Sequence, residues 1–251
     1  MATRRSAPPP DSPSPEPPER TRFTAAGRAG ASLGTEAAVY GDGIPDEGRL
    51  RLLGPLDGRR VLDLGCGAGH ASVAFARQGA KVIAVDADAA QLELARRAAE
   101  AAGVKVELQR ATGLAELAFV RADAIDAVFS SYALAEVSDL PRVFRQVHRV
   151  LKPEHAFAFS LPHPARLMLS TGTAEPRVVR GYADEEPITW VRDGEEVEDH
   201  PRTVAAVFRA LLNTGFRVDT LLEPIPTGAP AGSLDAVVPA TVVFRARKQG
   251  S

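Results

Sequence analysis

The residues best equipped for chemistry stand in Val61-Leu62-Asp63-Leu64-Gly65-Cys66-Gly67-Ala68-Gly69-His70, where an apolar run gives way to a helical pattern. Gly65, Gly67 and Gly69 let the backbone turn sharply and let a ligand approach main-chain N–H groups with no side chain in the way. About 20 residues further on, Asp86 closes the next apolar run. A carboxylate at that strand end can accept hydrogen bonds from both hydroxyls of a ribose. Asp88 suits the cap of the following helix better, which leaves Asp86 for the ribose. Two strand-end features at this spacing argue for a nucleoside-containing cofactor.

The details of the turn narrow the kind of cofactor. A dinucleotide fingerprint places a third glycine at position 70, beside the pyrophosphate, and this chain has His70 there. An acid, Asp63, stands two residues before the first glycine. A carboxylate aimed at a pyrophosphate repels it, whereas it suits a ligand that carries an ammonium and a sulfonium group. A nicotinamide-dependent oxidoreductase and a non-catalytic cofactor-binding protein of the same fold stand as alternatives. No GxSxG elbow, HExxH or P-loop is present to support a hydrolase or nucleoside triphosphatase.

These residues need a scaffold of alternating strands and helices. Residues 59–65, 81–86, 104–109, 124–131 and 156–161 read as strands. The first is followed by a helix over 68–79 and the second by a helix from Asp88 to Gly103. Ser138 is read as the cap of a third helix, with Pro141 in its first turn and Val143, Phe144, Val147, Val150 and Leu151 on one face, stopped by Lys152-Pro153. Thr203 caps a fourth, which shows Val204, Val207, Phe208, Leu211 and Leu212 and ends at Gly215. Residues 216–222 and 241–248 are the last strands. This order predicts an α/β fold with a mostly parallel sheet, helices on both faces and ligands at the carboxyl ends of the strands.

Residues 162–200 interrupt the alternation. Asp193-Gly194 between Ile188–Arg192 and Glu195–Glu198 signals a hairpin. Trp190 in its first strand reads equally as local core or as a wall for an acceptor. The acidic runs 184–186 and 195–199 read as solvated faces. His163 and His200 bracket the segment, and an imidazole near neutrality is suited to take a proton from an acceptor. Both are therefore candidate catalytic residues, and no metal cluster is expected.

Composition sets the boundaries. The chain has 251 residues, 45% of them hydrophobic and 25% charged, which suits a globular enzyme. Thirty Lys and Arg against 32 Asp and Glu leave a net charge of −2, so no general attraction to nucleic acid or anionic membrane is implied. One cysteine, Cys66, excludes an intramolecular disulfide and fits a reducing, cytoplasmic setting. No apolar run approaches the length of a membrane span. Pro8, Pro9, Pro10, Pro13, Pro15, Pro17 and Pro18 mark residues 1–28 as a disordered tail, with a single domain over 29–251. Oligomeric state has no signature in the sequence.

The segments VLDLGCGAGH, VIAVDADAAQLELAR, AIDAVFSSYALAEV and FRQVHRVLKPEHAFAFSLPHP, in that order, resemble the class I S-adenosylmethionine-dependent methyltransferases. The similarity is to the small-molecule branch typified by ubiquinone-biosynthesis enzymes. The resemblance implies a Rossmann-like, doubly wound seven-stranded sheet whose last strand is antiparallel, S-adenosylmethionine as cofactor, and a small-molecule acceptor covered by inserted residues 162–200. It implies that Asp63, Gly65, Cys66 and Gly67 hold the methionine half, that Asp86 holds the ribose and that Ala87 packs on the adenine. It also implies that Ser130, Ser131 and Tyr132 lie beside the methionyl group and that Tyr40 reaches its carboxylate. Two departures stand out. The usual acid after the third strand is missing from Arg110-Ala111-Thr112-Gly113-Leu114, so the adenine falls to Thr112 or to main-chain groups from Thr112 to Leu114. Glu154-His155 replaces the usual Gly-Gly pair.

Overall fold

In a computed structural model the structure describes residues 34–41, 43–170, 176–192, 195–226 and 228–250. The expected tail 1–28 and the Asp193-Gly194 turn lie outside the described residues. In chain order the elements are α1 (Glu47–Leu50), β1 (Arg60–Leu64), α2 (His70–Arg77), β2 (Lys81–Asp86), α3 (Ala89–Ala101), β3 (Val106–Arg110) and β4 (Ile125–Ser131). A 3-10 turn (Ala133–Glu136), α4 (Leu140–Val150), β5 (Leu151–Pro162) and α5 (Pro164–Leu167) follow. The inserted hairpin is β6 (Ile188–Arg192) and β7 (Glu195–Asp199), and the chain closes with α6 (Val204–Asn213), β8 (Phe216–Leu222), α7 (Leu234–Val237) and β9 (Thr241–Lys248).

One seven-stranded sheet runs β3-β2-β1-β4-β5-β9-β8. β1 pairs in parallel with β2 and β4, and β9 is antiparallel to both of its neighbours, β5 and β8. The chain order thus turns back at β1, and the crevice between the carboxyl ends of β1 and β4 is the topological switch point where ligands collect in such sheets. The reversed β9 departs from the all-parallel order of a dinucleotide-binding sheet.

The central strands β1, β2, β4, β5 and β9 feed two cores. Leu62 and Leu64 face the side covered by α4 and α6, while Val61 faces α2 and the segment ahead of β1. On the first side Phe144, Phe157, Phe159 and Phe244 interlock, and on the second Phe75 meets Phe129 edge to face with ring centroids 5.2 Å apart. Aromatic pairs of this kind add to the burial of large apolar surfaces.

Two boundaries differ from those read in the sequence, each for a local reason. α4 is capped by Asp139, whose Oδ1 accepts from Arg142 N at 2.9 Å, and not by Ser138. A cap at 138 would put Pro141 third in the helix, where it has no N–H to offer. β5 begins at Leu151 instead of 156. Leu151 pairs with Ile125, the register then shifts, and regular pairing resumes at Ala156 opposite Ala127.

Glu154 sits in that irregularity with φ 63°, the left-handed region that an L side chain occupies at a cost. Its contacts are exposed ones: Oε1 accepts from Gly250 N at 3.2 Å and Oε2 lies 3.6 Å from Arg217. Exposed pairs contribute little. Glu154→Gly is therefore expected to raise unfolding stability by about 0.5–1 kcal/mol. Urea denaturation checks this, and a loss of stability would show that the side chain outweighs the backbone strain.

Candidate active site

The glycine loop leaves β1 and starts α2, and its shape is set by contacts that exclude side chains. Gly65 has φ 70°, and a Cβ there would collide with the methyl of Ala133. Gly69, with φ 79°, lets α2 approach α3 so closely that a Cβ would fall 2.7 Å from the Ala95 Cβ. Gly65 N and Cys66 N both donate to the Val85 carbonyl, at 2.8 and 3.0 Å, which fastens the loop to the end of β2.

Asp86 completes that fastening. Its Oδ2 accepts from Gly67 N at 2.8 Å and its Oδ1 from Asp88 N at 3.0 Å. Asp88 in turn caps α3, accepting from Ala90 N at 2.8 Å, as the sequence suggests. Each Asp86 oxygen keeps a lone pair beyond its amide contact, which is the capacity a pair of ribose hydroxyls needs.

Asp63 is only 1% exposed. Ser72, in α2, donates to its Oδ2 at 2.6 Å. Burial pushes the Asp63 carboxyl up to about 7; the Ser72 hydrogen bond opposes this and the charge on Asp86 adds to it. A cationic group placed against it would favour the ionised form.

These residues line one cavity of about 280 Å³. Asp63, Gly65, Cys66, Gly67, Asp86 and Ala87 form its floor, and Gly113, Leu114, Ser131 and Tyr132 form part of its walls. The structure thus brings together most of the residues singled out in the sequence. His70 lines it too, with Nδ1 buried and without a hydrogen-bond partner among the described residues. Burial holds that imidazole below its usual pKa, so it is neutral at pH 7.

Five expected residues are placed elsewhere. Tyr40 is fully buried and donates to Glu47 Oε2 at 2.6 Å, against Phe129. Glu47 also accepts from Leu52 N and Leu53 N, so Tyr40 belongs to a polar knot that folds the segment ahead of β1. Ser130 Oγ donates to the Leu64 carbonyl at 2.8 Å and ties β4 to β1. Thr112 is exposed and outside the cavity lining, where only its neighbours Gly113 and Leu114 reach.

Neither candidate base lines the cavity. His163 caps α5, its Nδ1 accepting from Ala165 N at 3.1 Å while Nε2 lies 2.7 Å from Glu223 Oε1. With one nitrogen accepting and the other donating, that ring has no lone pair left for an acceptor proton. His200 acts through its backbone: its N–H donates to the Ala135 carbonyl at 2.8 Å and its carbonyl accepts from Arg202 Nη1 at 2.9 Å.

Two acidic residues of the lining, Glu136 and Asp199, escape the sequence reading. Asp199 ends the run 195–199 read as solvated, yet it is 6% exposed while Glu196 and Glu198 are exposed. Strand alternation from Trp190 is the signal that finds it, since Trp190 pairs with Val197 and Ile188 with Asp199. Among the described residues no group of three or more His, Cys, Asp or Glu is arranged to hold a metal, and no helix is long and apolar enough to cross a membrane.

A parallel sheet with a reversed β9, a glycine turn at its switch point and acids at the ends of two neighbouring strands define a nucleoside-cofactor transferase of the methyltransferase class. Residues 61–154 match the family described as "Methyltransferase domain". An S-adenosylmethionine-dependent methyltransferase from Mesorhizobium loti, of known crystal structure, is 31% identical, with a TM-score of 0.68 over 79% of this chain and 95% of that one. The ubiquinone biosynthesis O-methyltransferase of Hahella chejuensis is 40% identical over 105 residues, which are 42% of this chain and 44% of that protein. Its counterpart from Xanthomonas oryzae is 33% identical over 157 residues, 57% of this chain and 65% of that protein. The chain belongs to the S-adenosylmethionine-dependent methyltransferases.

The residues present fit that cofactor. Two carboxylates at adjacent strand ends suit its hydroxyls and cationic groups, and the orphaned His70 nitrogen opens a further polar contact. Asp86→Ala removes both the expected ribose contact and the support of Gly67. It should weaken S-adenosylmethionine binding by about 1.5–3 kcal/mol in a folded protein; calorimetry checks it, and unchanged affinity removes Asp86 from the site.

Asp63 makes a second prediction. Its folded pKa of about 7 lies above the ordinary carboxyl value of 3.8, so the folded state holds the proton more tightly. Its contribution to stability is greatest below pH 4 and is lost as pH rises to 7. Asp63→Asn removes the titration, so the variant should gain stability relative to the parent between pH 5 and 8, by up to a few kcal/mol at about 1.4 kcal/mol per unit. Paired urea titrations across that range measure the gap, and a constant gap means that Asp63 does not titrate there.

Proposed function

We propose that the protein transfers the methyl group of S-adenosylmethionine to an oxygen, nitrogen or carbon of a small-molecule acceptor. The observation that carries this reading is the charge of the cavity. Asp63 and Asp86 face it from neighbouring strand ends, and no Lys or Arg is among the described residues that line it. A ligand with a pyrophosphate would meet two acids and no cation, while a ligand with an ammonium and a sulfonium meets the charges it needs. The cofactor supplies, when bound, a methyl group made electrophilic by its sulfonium.

The chain's own residues do the rest. Asp86 would hold the ribose, Ala87 and Leu114 would flank the adenine, and Asp63 with the glycine loop would hold the methionine half. The inserted hairpin would cover the acceptor, because Trp190 and Asp199 line the cavity. Catalysis then rests on positioning and on exclusion of water more than on a dedicated base, since neither candidate histidine lines the cavity and the His163 ring is paired elsewhere. The lone cysteine fits action in the cytoplasm, and the near-neutral net charge fits a small molecule rather than a nucleic acid as partner.

Calorimetric titration with S-adenosylmethionine and with a reduced nicotinamide dinucleotide separates this reading from an oxidoreductase. Saturable binding of the first alone is expected. Incubation with methyl-labelled cofactor and a metabolite extract should then move label into a small molecule. Binding without any transfer would favour a non-catalytic cofactor-binding protein, and binding of the dinucleotide would overturn the methyltransferase reading.

A further inference from the structure

The methionyl end of S-adenosylmethionine carries an ammonium and a carboxylate on the same carbon atom. The cavity offers acids to the first, but no Lys or Arg lines it, among the described residues, to meet the second. Donors that the glycine loop could supply are largely committed. Gly65 N and Cys66 N bind the Val85 carbonyl, Gly67 N binds Asp86, and Gly69 N binds the Cys66 carbonyl. The Tyr40 phenol is on Glu47, and the Tyr132 hydroxyl is paired with that of Thr241. A carboxylate brought into a covered site needs a donor in return, since burying the charge unpaired is costly.

His70 is the lining side chain placed to supply it. It opens α2, a helix of 8 residues with no acid in its first turn, at the end where the helix dipole favours an anion. Ser72 in the same turn spends its hydroxyl on Asp63, so the start of α2 flanks the acid expected to meet the ammonium. The carboxylate, fixed beside that ammonium by the shared carbon, therefore falls next to the same turn. The imidazole is neutral at pH 7, because burial lowers its pKa, and so carries a single proton. Its Nδ1 is buried with no partner among the described residues. A buried N–H without an acceptor is rarer and costlier than a bare lone pair, which assigns the proton to Nε2 and makes that nitrogen a donor. Ser131 is the rival donor. Its hydroxyl accepts from Ser160 Oγ at 3.4 Å and keeps a proton of its own, but it stands at the end of β4 and not on α2.

From this placement we infer that His70 holds the methionyl carboxylate of the cofactor through Nε2–H, and so selects ligands whose amino-acid end is intact. The contact expected of Tyr40 in the sequence passes to a residue that the fold leaves unpaired at Nδ1. The inference rests on the methyltransferase reading, since it names a contact to that cofactor. It makes His70 a binding residue and not a base, because an Nε2 that donates to a carboxylate has no lone pair for an acceptor proton.

The test is calorimetric titration of the full chain with S-adenosylhomocysteine and with its decarboxylated analogue, which keeps the ammonium and lacks the carboxylate. The parent should prefer S-adenosylhomocysteine by at least about tenfold. His70→Leu should weaken S-adenosylhomocysteine by about tenfold and leave the analogue within about twofold, which erases the preference. His70→Gln, which returns an N–H donor, should recover most of it, and Ser131→Ala should retain it. Where His70→Leu does not fold, nitrogen-15 magnetic resonance of the parent's histidines replaces it, with the His70 signals assigned from the His70→Gln spectrum. Those signals should move with S-adenosylhomocysteine and stay in place with the analogue. Equal weakening of both ligands by His70→Leu, unchanged binding of both, loss of the preference in Ser131→Ala instead, or His70 signals that do not distinguish the two ligands overturns the inference and leaves the methyltransferase reading standing. Failure of S-adenosylhomocysteine to bind the parent chain sinks that reading and the inference with it.

Discussion

The Asp86 carboxylate holds Gly67 N–H on one oxygen and Asp88 N–H on the other, and the site is organised around that pair of bonds. The first fixes the glycine turn to the end of the second strand, and the second sets the start of α3, which Asp88 then caps. A loop of glycines has many conformations to lose, and backbone ordering costs about 1–2 kcal/mol per residue. The amide contacts to Val85 and Asp86 select one of those conformations before a ligand arrives. The same carboxylate is the one we propose for the ribose, which would make loop order and ligand recognition share a single group.

Much of the architecture can be read from residues 59 to 162, because strand ends, glycine turns and caps there obey local rules. Asp88 is the cap it promises to be, and the glycine turn lies where β1 meets α2. Local reading stumbles where chemistry of equal local merit competes. Ser138 and Asp139 both suit a cap, and the missing N–H of Pro141 decides between them. The reversed β9 is a property of sheet pairing, which no window of the sequence holds.

The site divides in the same way. Asp63, the loop and Asp86 come from consecutive elements, so spacing alone assembles them. Tyr40 and Ser130 carry groups that could meet a ligand, yet closer partners take them: Glu47 for the phenol and the Leu64 carbonyl for the hydroxyl. A side chain's type tells what it can bond, and only the fold tells which bond is nearest. Asp199 is the reverse case, an acid hidden in an acidic run, and the two-residue period of a strand separates it from Glu196 and Glu198.

Arg202 gives the cavity an unequal pair of walls. Its guanidinium binds the carbonyls of Val137, Ser138 and His200, and burial of the group makes those bonds costly to break. The exit of the inserted hairpin and the turn after β4 are thereby riveted into one stiff panel. Gly34, Ala37 and Val39 also line the cavity; their segment is anchored by the buried Ala38 and Tyr40 and, at the surface, by Arg77 contacts to Thr35 and to Glu36, which is 88% exposed. Contacts of that kind fade as salt screens them. The cavity is thus bounded by two panels anchored differently, one by a buried guanidinium and the other by the burial of Ala38 and Tyr40 in the core.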